Sequence, residues 1–317
     1  MPVVAVAGGT GGLGRALVDA IIATGKYEVK ILSRQSNPAL EAELDVTVLA
    51  VDYSNINAVT KTLEQHNVHT VISALSLLPF NGPPKEVELI RAADASKTTK
   101  RFIPSDWGFH PDSYVKEDEG RIPFVAYKRL SQAELAKTVD LEHTSFVNGF
   151  ILDYWGMPHI KTYMSPMTDV VDIKHNVAAI PGSGDMPIIF TLTADIAKFA
   201  AASLSLEKWD PISYIIGDRV TWNEFVRLAE AAKGTKFKVT YENLELLEQG
   251  KVTELPSHVP MYQFVPKEML QMILSTFGLW TAKGAFDFKA DKTLNEIFPD
   301  IKATTVETLL NLAWKQT

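Results

Sequence analysis

Apolar positions in the first half of the chain recur with two alternating periods. Val3 to Ala7 is a short unbroken apolar run that ends on glycine, and Leu13, Ala16, Leu17, Ala20 and Ile21 then fall at i, i+3, i+4, i+7 and i+8, one face of a helix. Further runs predict strands at Glu28 to Leu32, Val46 to Val51, Thr70 to Ala74, Arg101 to Ile103 and Thr144 to Asn148. Helical spacing lies between them near Asn55 to His66, Pro84 to Lys97 and Val125 to Lys137. Strand and helix in alternation predict an α/β fold, a doubly wound parallel sheet. After about residue 155 the alternation fails and Met, Pro, Trp and Tyr become frequent, as in "DYWGMPHIKTYMSPM", which predicts a smaller, interleaved second lobe. Helices return after Thr193 or Ala194, with Asp195, Ile196, Phe199 and Ala200, and at two capping boxes, Thr221 to Glu224 and Thr304 to Glu307. Met261 to Trp280 is apolar enough to be either a lid over a pocket or a packed helix. The expected division is 1–155 with returning segments near 186–230 as one unit, and 156–185 with 231–317 as the substrate lobe and C-terminal helices.

Composition narrows the class. The chain has 317 residues, 46% hydrophobic and 22% charged, as in an ordinary globular protein with ample core. A net charge of −7 without a basic patch argues against nucleic acid and anionic membranes as partners. The absence of cysteine removes disulfides, thiolate nucleophiles and Cys-ligated metals. Met1 runs straight into the first strand and no stretch of about 20 apolar residues follows, so the expectation is a cytoplasmic protein without a membrane span, monomer or homodimer.

The first strand breaks into Gly8-Gly9-Thr10-Gly11-Gly12-Leu13-Gly14. Gly9, Gly11 and Gly14 fit G-x-G-x-x-G, and Gly8, Gly11 and Gly14 fit G-x-x-G-x-x-G. Either register describes a turn in which glycines let the backbone approach a pyrophosphate and leave N–H groups free at the positive end of the helix, a Rossmann-type dinucleotide cradle. At the end of the second strand, "ILSRQSN" presents Ser33 and Arg34 and no acid. A basic residue there accommodates the 2′-phosphate of NADP, where an acid would read the ribose of NAD, so NADP(H) is expected.

Ligands of such sheets bind beyond the carboxyl ends of the strands, which draws attention to Gly8 to Gly14, Ser33 and Arg34, Asp52 and Tyr53, Leu75 to Leu78, Pro104 to Phe109 and Asn148 to Phe150. Hydride transfer needs a proton-handling group near the nicotinamide. The Tyr-x-x-x-Lys pair is missing; Tyr127 and Lys128 are adjacent, about 100° apart on a helix, and cannot both face one substrate atom. Lys128, expected in the first helical turn, is the stronger candidate and Tyr127 the weaker. Asp106 either ionises near the nicotinamide or caps the following turn. Trp107, Phe109, Phe150, Tyr154, Trp155 and Met157 follow strand ends and are candidate walls of a pocket for a flat apolar substrate. No histidine pairs with carboxylates at metal-ligand spacing, and no metal is expected.

The segments "VAVAGGTGGLGRALVDAI", "KRFIPSDWGF", "FVAYKRLSQAEL" and "TSFVNGF", in this order, with "TADIAKFA" and "FPDIKATTVETLL" further on, give a chain that resembles the NmrA-like, isoflavone-reductase-like atypical short-chain dehydrogenases over nearly its whole length. The resemblance implies NADPH on Gly8, Gly9, Thr10, Gly11, Gly12, Leu13 and Gly14, with the 2′-phosphate on Arg34. It also implies proton transfer by Lys128, with Asn148 on the nicotinamide side; Ser33, Leu75 and Ser105, just beyond strand ends, are further candidate cofactor contacts. Plant members read "PSEFG" where this chain has Ser105-Asp106-Trp107-Gly108, so their substrates do not carry over, and a fungal secondary-metabolism branch fits better. The implied function is an NADPH-dependent reductase acting on an aromatic, polyketide or alkaloid-like metabolite. Two alternatives stay open: a redox-assisted rearrangement or cyclisation with the same cofactor, and an NmrA-type dinucleotide sensor without catalysis. The sensors lack an equivalent lysine and prefer the cofactor without a 2′-phosphate, so Lys128 and Arg34 favour an enzyme.

Overall fold

All residues of the first strand are buried, and its partners in the sheet are apolar on both faces, as strands covered by helices on each side must be. The structure, a computed structural model, describes residues 1–77, 84–113 and 116–315. In chain order the elements are β1 (Val3–Ala7), α1 (Gly12–Thr24), β2 (Glu28–Ser33), α2 (Pro38–Leu44), β3 (Thr47–Ala50), α3 (Ile56–Gln65), β4 (Val68–Ser73), α4 (Glu86–Ala95), β5 (Arg101–Ile103), α5 (Pro123–Leu135) and β6 (Glu142–His143). The six strands form one parallel sheet in the order β3-β2-β1-β4-β5-β6. This is the doubly wound Rossmann-type sheet, with its order reversing beside β1.

The rest of the chain interleaves with that sheet. It comprises β7 (Ser145–Val147), β8 (Phe150–Ile151), β9 (Val171–Asp172), β10 (Val177–Pro181), β11 (Pro187–Thr191), α6 (Thr193–Ser203), β12 (Ile212–Tyr214), β13 (Asp218–Thr221), α7 (Trp222–Lys233), β14 (Lys238–Glu242), α8 (Leu244–Glu248), α9 (Lys267–Ala282), α10 (Leu294–Ile297) and α11 (Val306–Trp314). Helix α6 packs on α1, and α10 returns to α6, so both lie on the Rossmann layer. The core under α3 and α4 covers the other face of the sheet. A third core is dominated by Phe150, Trp155, Phe190, Trp222 and Phe225; the expected division put these in the first unit, but they pack with Phe237, Trp280 and Phe286 and with them make up the second lobe.

Several expectations need correction. The sixth strand is Glu142–His143, and Ser145–Val147 leaves the large sheet to pair with β12, because the chain turns at buried Thr144. Helix α2 went unread; Asn37 caps it by accepting the Leu40 N–H and Pro38 opens it, start signals masked by the shortness of the helix. Helix α5 starts at Pro123, which puts Lys128 in the second turn. The box at Thr221 and Glu224 forms as expected, whereas the last helix is capped by Thr305, since the Thr304 N–H is taken by Asp195 at 2.7 Å. Most of Met261 to Trp280 falls in α9, a packed helix that buries Leu270, Leu274, Leu279 and Trp280. Among the described residues no helix is long and apolar enough to cross a membrane.

Candidate active site

The glycine turn is built to be approached. Gly8 has φ +79°, and a Cβ there would lie 2.6 Å from the Ala74 carbonyl oxygen; a Cβ on Gly14 would lie 2.2 Å from that of Gly8. These two glycines hold α1 tight against β1 and β4. A Cβ on Gly11 would meet nothing within 4 Å, so the turn is open at Gly11. Gly11 caps α1 with its backbone alone, leaving donors in the first turn for an anion. The expectation of free donors fails at one place: the Gly12 N–H is bonded to the Tyr163 carbonyl at 3.1 Å.

Beyond β2, Arg34 is exposed, next to a Ser33 whose hydroxyl accepts the Gln35 N–H at 3.4 Å. The Tyr53 phenol behind it donates to the Leu32 carbonyl at 2.9 Å and is raised by burial, against the pull of the Arg34 charge. A surface guanidinium at the end of the second strand, with no acid from Ser33 to Asn37, fits a 2′-phosphate.

Turns after β4 and β5 are stitched together. Ser105 donates from Oγ to the Leu75 carbonyl at 2.9 Å, and its N–H goes to Glu86 at 2.6 Å. Glu86 also accepts from Ser131 Oγ at 2.7 Å, and burial holds its carboxyl above the ordinary range. Lys128, Ser131 and Gln132 share one face of α5 at i, i+3 and i+4, all turned to this loop. Lys128 Nζ lies 3.3 Å from Asp106 Oδ1, while Gln132 Nε2 donates to Asp106 Oδ2 at 2.6 Å and to Ser145 Oγ at 2.8 Å. Asp106 is therefore a buried ion-pair partner of Lys128 rather than a turn cap. Tyr127 points elsewhere, into a cavity of about 320 Å³ between α4 and α5 lined also by Leu77, Val87 and Leu130.

Asn148 follows β7 and is fully buried; its N–H and that of Gly149 donate to the Gly108 carbonyl at 2.8 and 2.9 Å. Its Oδ1 has no hydrogen-bond partner among the described residues, a buried acceptor beside the same loop. Glycine turn, Leu75, Ser105, Asp106, Lys128 and Asn148 thus form one continuous rim over the carboxyl ends of the strands. Of the Leu75 to Leu78 stretch, Leu78 lies outside the described residues.

The aromatic expectations divide. Phe109 is buried with ring centroids 4.7 Å from Trp280 and 5.1 Å from Phe286. Phe124, 5.7 Å from Lys128 Nζ, meets Phe277 and Trp280 at 6.1 and 6.0 Å. Phe277 in turn stands 5.6 Å from Phe150. This wall runs from the lysine into the second lobe. Phe150 also meets Trp155 at 5.4 Å, whose ring packs among Phe190, Trp222 and Phe225 with its Nε1–H on the Val171 carbonyl, so the wall is continuous with the aromatic core. Trp107 is half-buried, its ring 4.9 Å from Phe146 and its Nε1–H on the Ser73 carbonyl at the end of β4. Phe124, Phe277, Trp280 and Phe286 escaped sequence reasoning because they are far apart in the chain and do not follow strand ends. Gln132 and Glu86 escaped it too, although the i+4 spacing from Lys128 to Gln132 was available as a signal.

Comparison with known proteins bears on the family and the fold. Residues 2–310 match the model of the NmrA-like family. Oxidoreductase BOA1 of Botryotinia fuckeliana is 36% identical over 301 residues, spanning 94% of this chain and 95% of that protein. Oxidoreductase swnN of Metarhizium robertsii is 32% identical over 335 residues, spanning 99% and 98%. Among solved structures, AtPrR2 with NADP+ and (+)pinoresinol superposes with a TM-score of 0.75 at 22% identity, covering 98% of each chain. The leucoanthocyanidin reductase–NADPH complex from Vitis vinifera gives 0.74 at 18% identity, again over 98% of each chain. With a family match across almost all of its length and two fungal relatives above 30% identity, this chain belongs to the NmrA-like family.

Proposed function

We propose that this protein is an NADPH-dependent reductase of a secondary metabolite with an aromatic, polyketide or alkaloid-like ring system. The observation that carries the proposal is the buried Lys128–Asp106 pair, 3.3 Å apart, set between the glycine turn and an aromatic wall. The glycine turn and Arg34 fit the pyrophosphate and 2′-phosphate of the cofactor, which supplies a hydride when bound. The residues of the chain do the remainder. Lys128 gives a proton from Nζ to the substrate atom that gathers negative charge and recovers one from solvent, while Asp106 and Gln132 keep Nζ in place. Phe109, Phe124, Phe277 and Trp280 exclude water and stack on a flat substrate, so the second lobe selects it. The related fungal oxidoreductases and the cofactor-bound reductases of the same fold support this reading.

The test is a titration of the purified protein and of Arg34→Asp with NADPH, NADP, NADH and NAD, followed by NADPH consumption with a panel of electron-poor aromatic ketones, enones and imines. NADPH should bind well ahead of NADH. Arg34→Asp should lose roughly 10- to 100-fold for NADPH, the scale of a charge-assisted phosphate contact, with NADH little changed. Equal losses for both cofactors, or a wild-type preference for NAD, would count against the reductase and for a sensing protein.

A further inference from the structure

A strap from the second lobe crosses the mouth of the glycine turn. In Lys161–Met164, the Tyr163 carbonyl accepts the Gly12 N–H at 3.1 Å, the first donor of α1. The Tyr163 ring sits 5.0 Å from the Arg15 guanidinium and its phenol donates to Asp19 at 2.5 Å. Burial of the phenol and the adjoining carboxylate both keep that hydroxyl protonated, with the hydrogen bond to Asp19 the larger influence. Arg15 is itself clamped by Asp19 at 2.9 Å and Glu43 at 2.7 Å. Met164 Sδ comes within 3.8 Å of where a Gly12 Cβ would be. The root of the strap is fixed elsewhere: Thr162 Oγ1 donates at 2.5 Å to Asp153, a buried carboxylate that also receives the N–H and hydroxyl of Thr193 at the start of α6.

An N–H makes one strong hydrogen bond. Of the donors that the first turn of α1 offers to a pyrophosphate oxygen, the Gly12 N–H is the one Tyr163 holds, so at Gly12 the carbonyl and a phosphate oxygen are alternatives. A phosphate oxygen is charged and the peptide carbonyl is not, which decides the exchange in favour of the cofactor when it is present. We propose that Lys161–Met164 is a gate on the cofactor site, latched by Tyr163 on Arg15 and Asp19, and that dinucleotide binding opens it. The proposal rests on the NADP(H) assignment above and goes beyond it: affinity for the cofactor is set in part by a latch outside the cradle, in the chain segment that leads to the substrate lobe.

Hydrogen exchange read by mass spectrometry on the full chain, free and saturated with NADPH, tests the gate together with NADPH affinities of Tyr163→Phe and Tyr163→Ala. Saturation should speed exchange at residues 161–164. Tyr163→Phe, which loses only the bond to Asp19, should bind NADPH about threefold more tightly, and Tyr163→Ala, which also loses the ring on Arg15, about tenfold. Slower or unchanged exchange in the strap on saturation, or unchanged or weaker binding by both variants, overturns the gate while the cofactor assignment stands. Failure of wild type and both variants to bind any dinucleotide brings down the cofactor assignment and the gate with it.

Discussion

Asp106 and Lys128 meet at 3.3 Å with their side chains 3% and 9% exposed, and neither charge would be tolerated there alone. Removing one partner should therefore damage folding as well as chemistry, and the two effects can be separated. Lys128→Met leaves a buried carboxylate facing a thioether and should cost on the order of 3 kcal/mol in stability, visible as a lower urea midpoint. The double variant Lys128→Met/Asp106→Asn removes both charges and should recover most of that loss. Turnover should stay down by 10²- to 10⁴-fold in both, the usual contribution of a positioned acid or base, with NADPH affinity within a few-fold of wild type. Turnover restored in the double variant would show that the lysine acts only by holding the fold.

The α/β alternation and the glycine turn were legible because both depend on local spacing: an apolar strand, a turn only glycine can make, and a helix at 3.6-residue period. Arg34 was legible for the same reason, being a fixed step beyond the second strand. What escaped was set by contacts between distant segments. Asp106 could be read as a cap or an acid, and only the docking of α5 on the loop after β5 places Lys128 and Gln132 around it. Trp155 and Trp107 both follow strands, yet Trp155 is enclosed in the aromatic core while Trp107 stays half-buried beside Phe146, a difference set by packing that position after a strand does not carry. The Tyr163 strap had no signature at all, since the backbone carbonyl that meets Gly12 is the same whatever side chain its residue carries.

The glycines of the turn should respond differently to the same added methyl group. At Gly14 an alanine Cβ would fall 2.2 Å from the Gly8 carbonyl oxygen, a backbone atom that cannot step aside, so Gly14→Ala should lower the melting temperature markedly or abolish soluble expression. Gly11 has extended backbone at φ −167°, which alanine adopts freely, and open space around its Cβ position. Gly11→Ala should fold with a melting temperature within about 2 °C of wild type, since nothing is displaced and an alanine for glycine stiffens the unfolded chain. Its NADPH affinity should nevertheless fall at least tenfold, because the methyl group stands where the cofactor approaches the backbone. Calorimetry and fluorescence titration on the two variants would settle the matter, and unaltered NADPH binding by Gly11→Ala would move the cofactor off this turn.

A buried acid outside the active site makes stability depend on pH in an unusual direction. Asp169 is 5% exposed, its Oδ2 has no hydrogen-bond partner among the described residues, and burial pushes its carboxyl up to about 7 from an ordinary 3.8, with nearby Glu242 adding to the rise. Near pH 4 and below, Asp169 is protonated in the native and unfolded chain alike and costs nothing. Between about 4 and 7 the unfolded chain gives up the proton while the native protein keeps it. The native state then binds more protons, so stability falls as pH rises, and the loss is complete above 7. About three pH units of difference correspond to at most about 4 kcal/mol. His258 lines a small cavity together with Asp169, and burial lowers its imidazole below the ordinary 6.5, so it acts in the opposite sense: its contribution to stability is lost as pH falls below 6.5. That contribution is common to wild type and Asp169→Asn and cancels in their difference. Urea unfolding of the two proteins at pH 4.5, 6 and 7.5 should show the asparagine variant gaining steadily on wild type as pH rises. A difference that stays constant across the range would mean that the native carboxyl ionises at its ordinary pH and that Asp169 finds solvent.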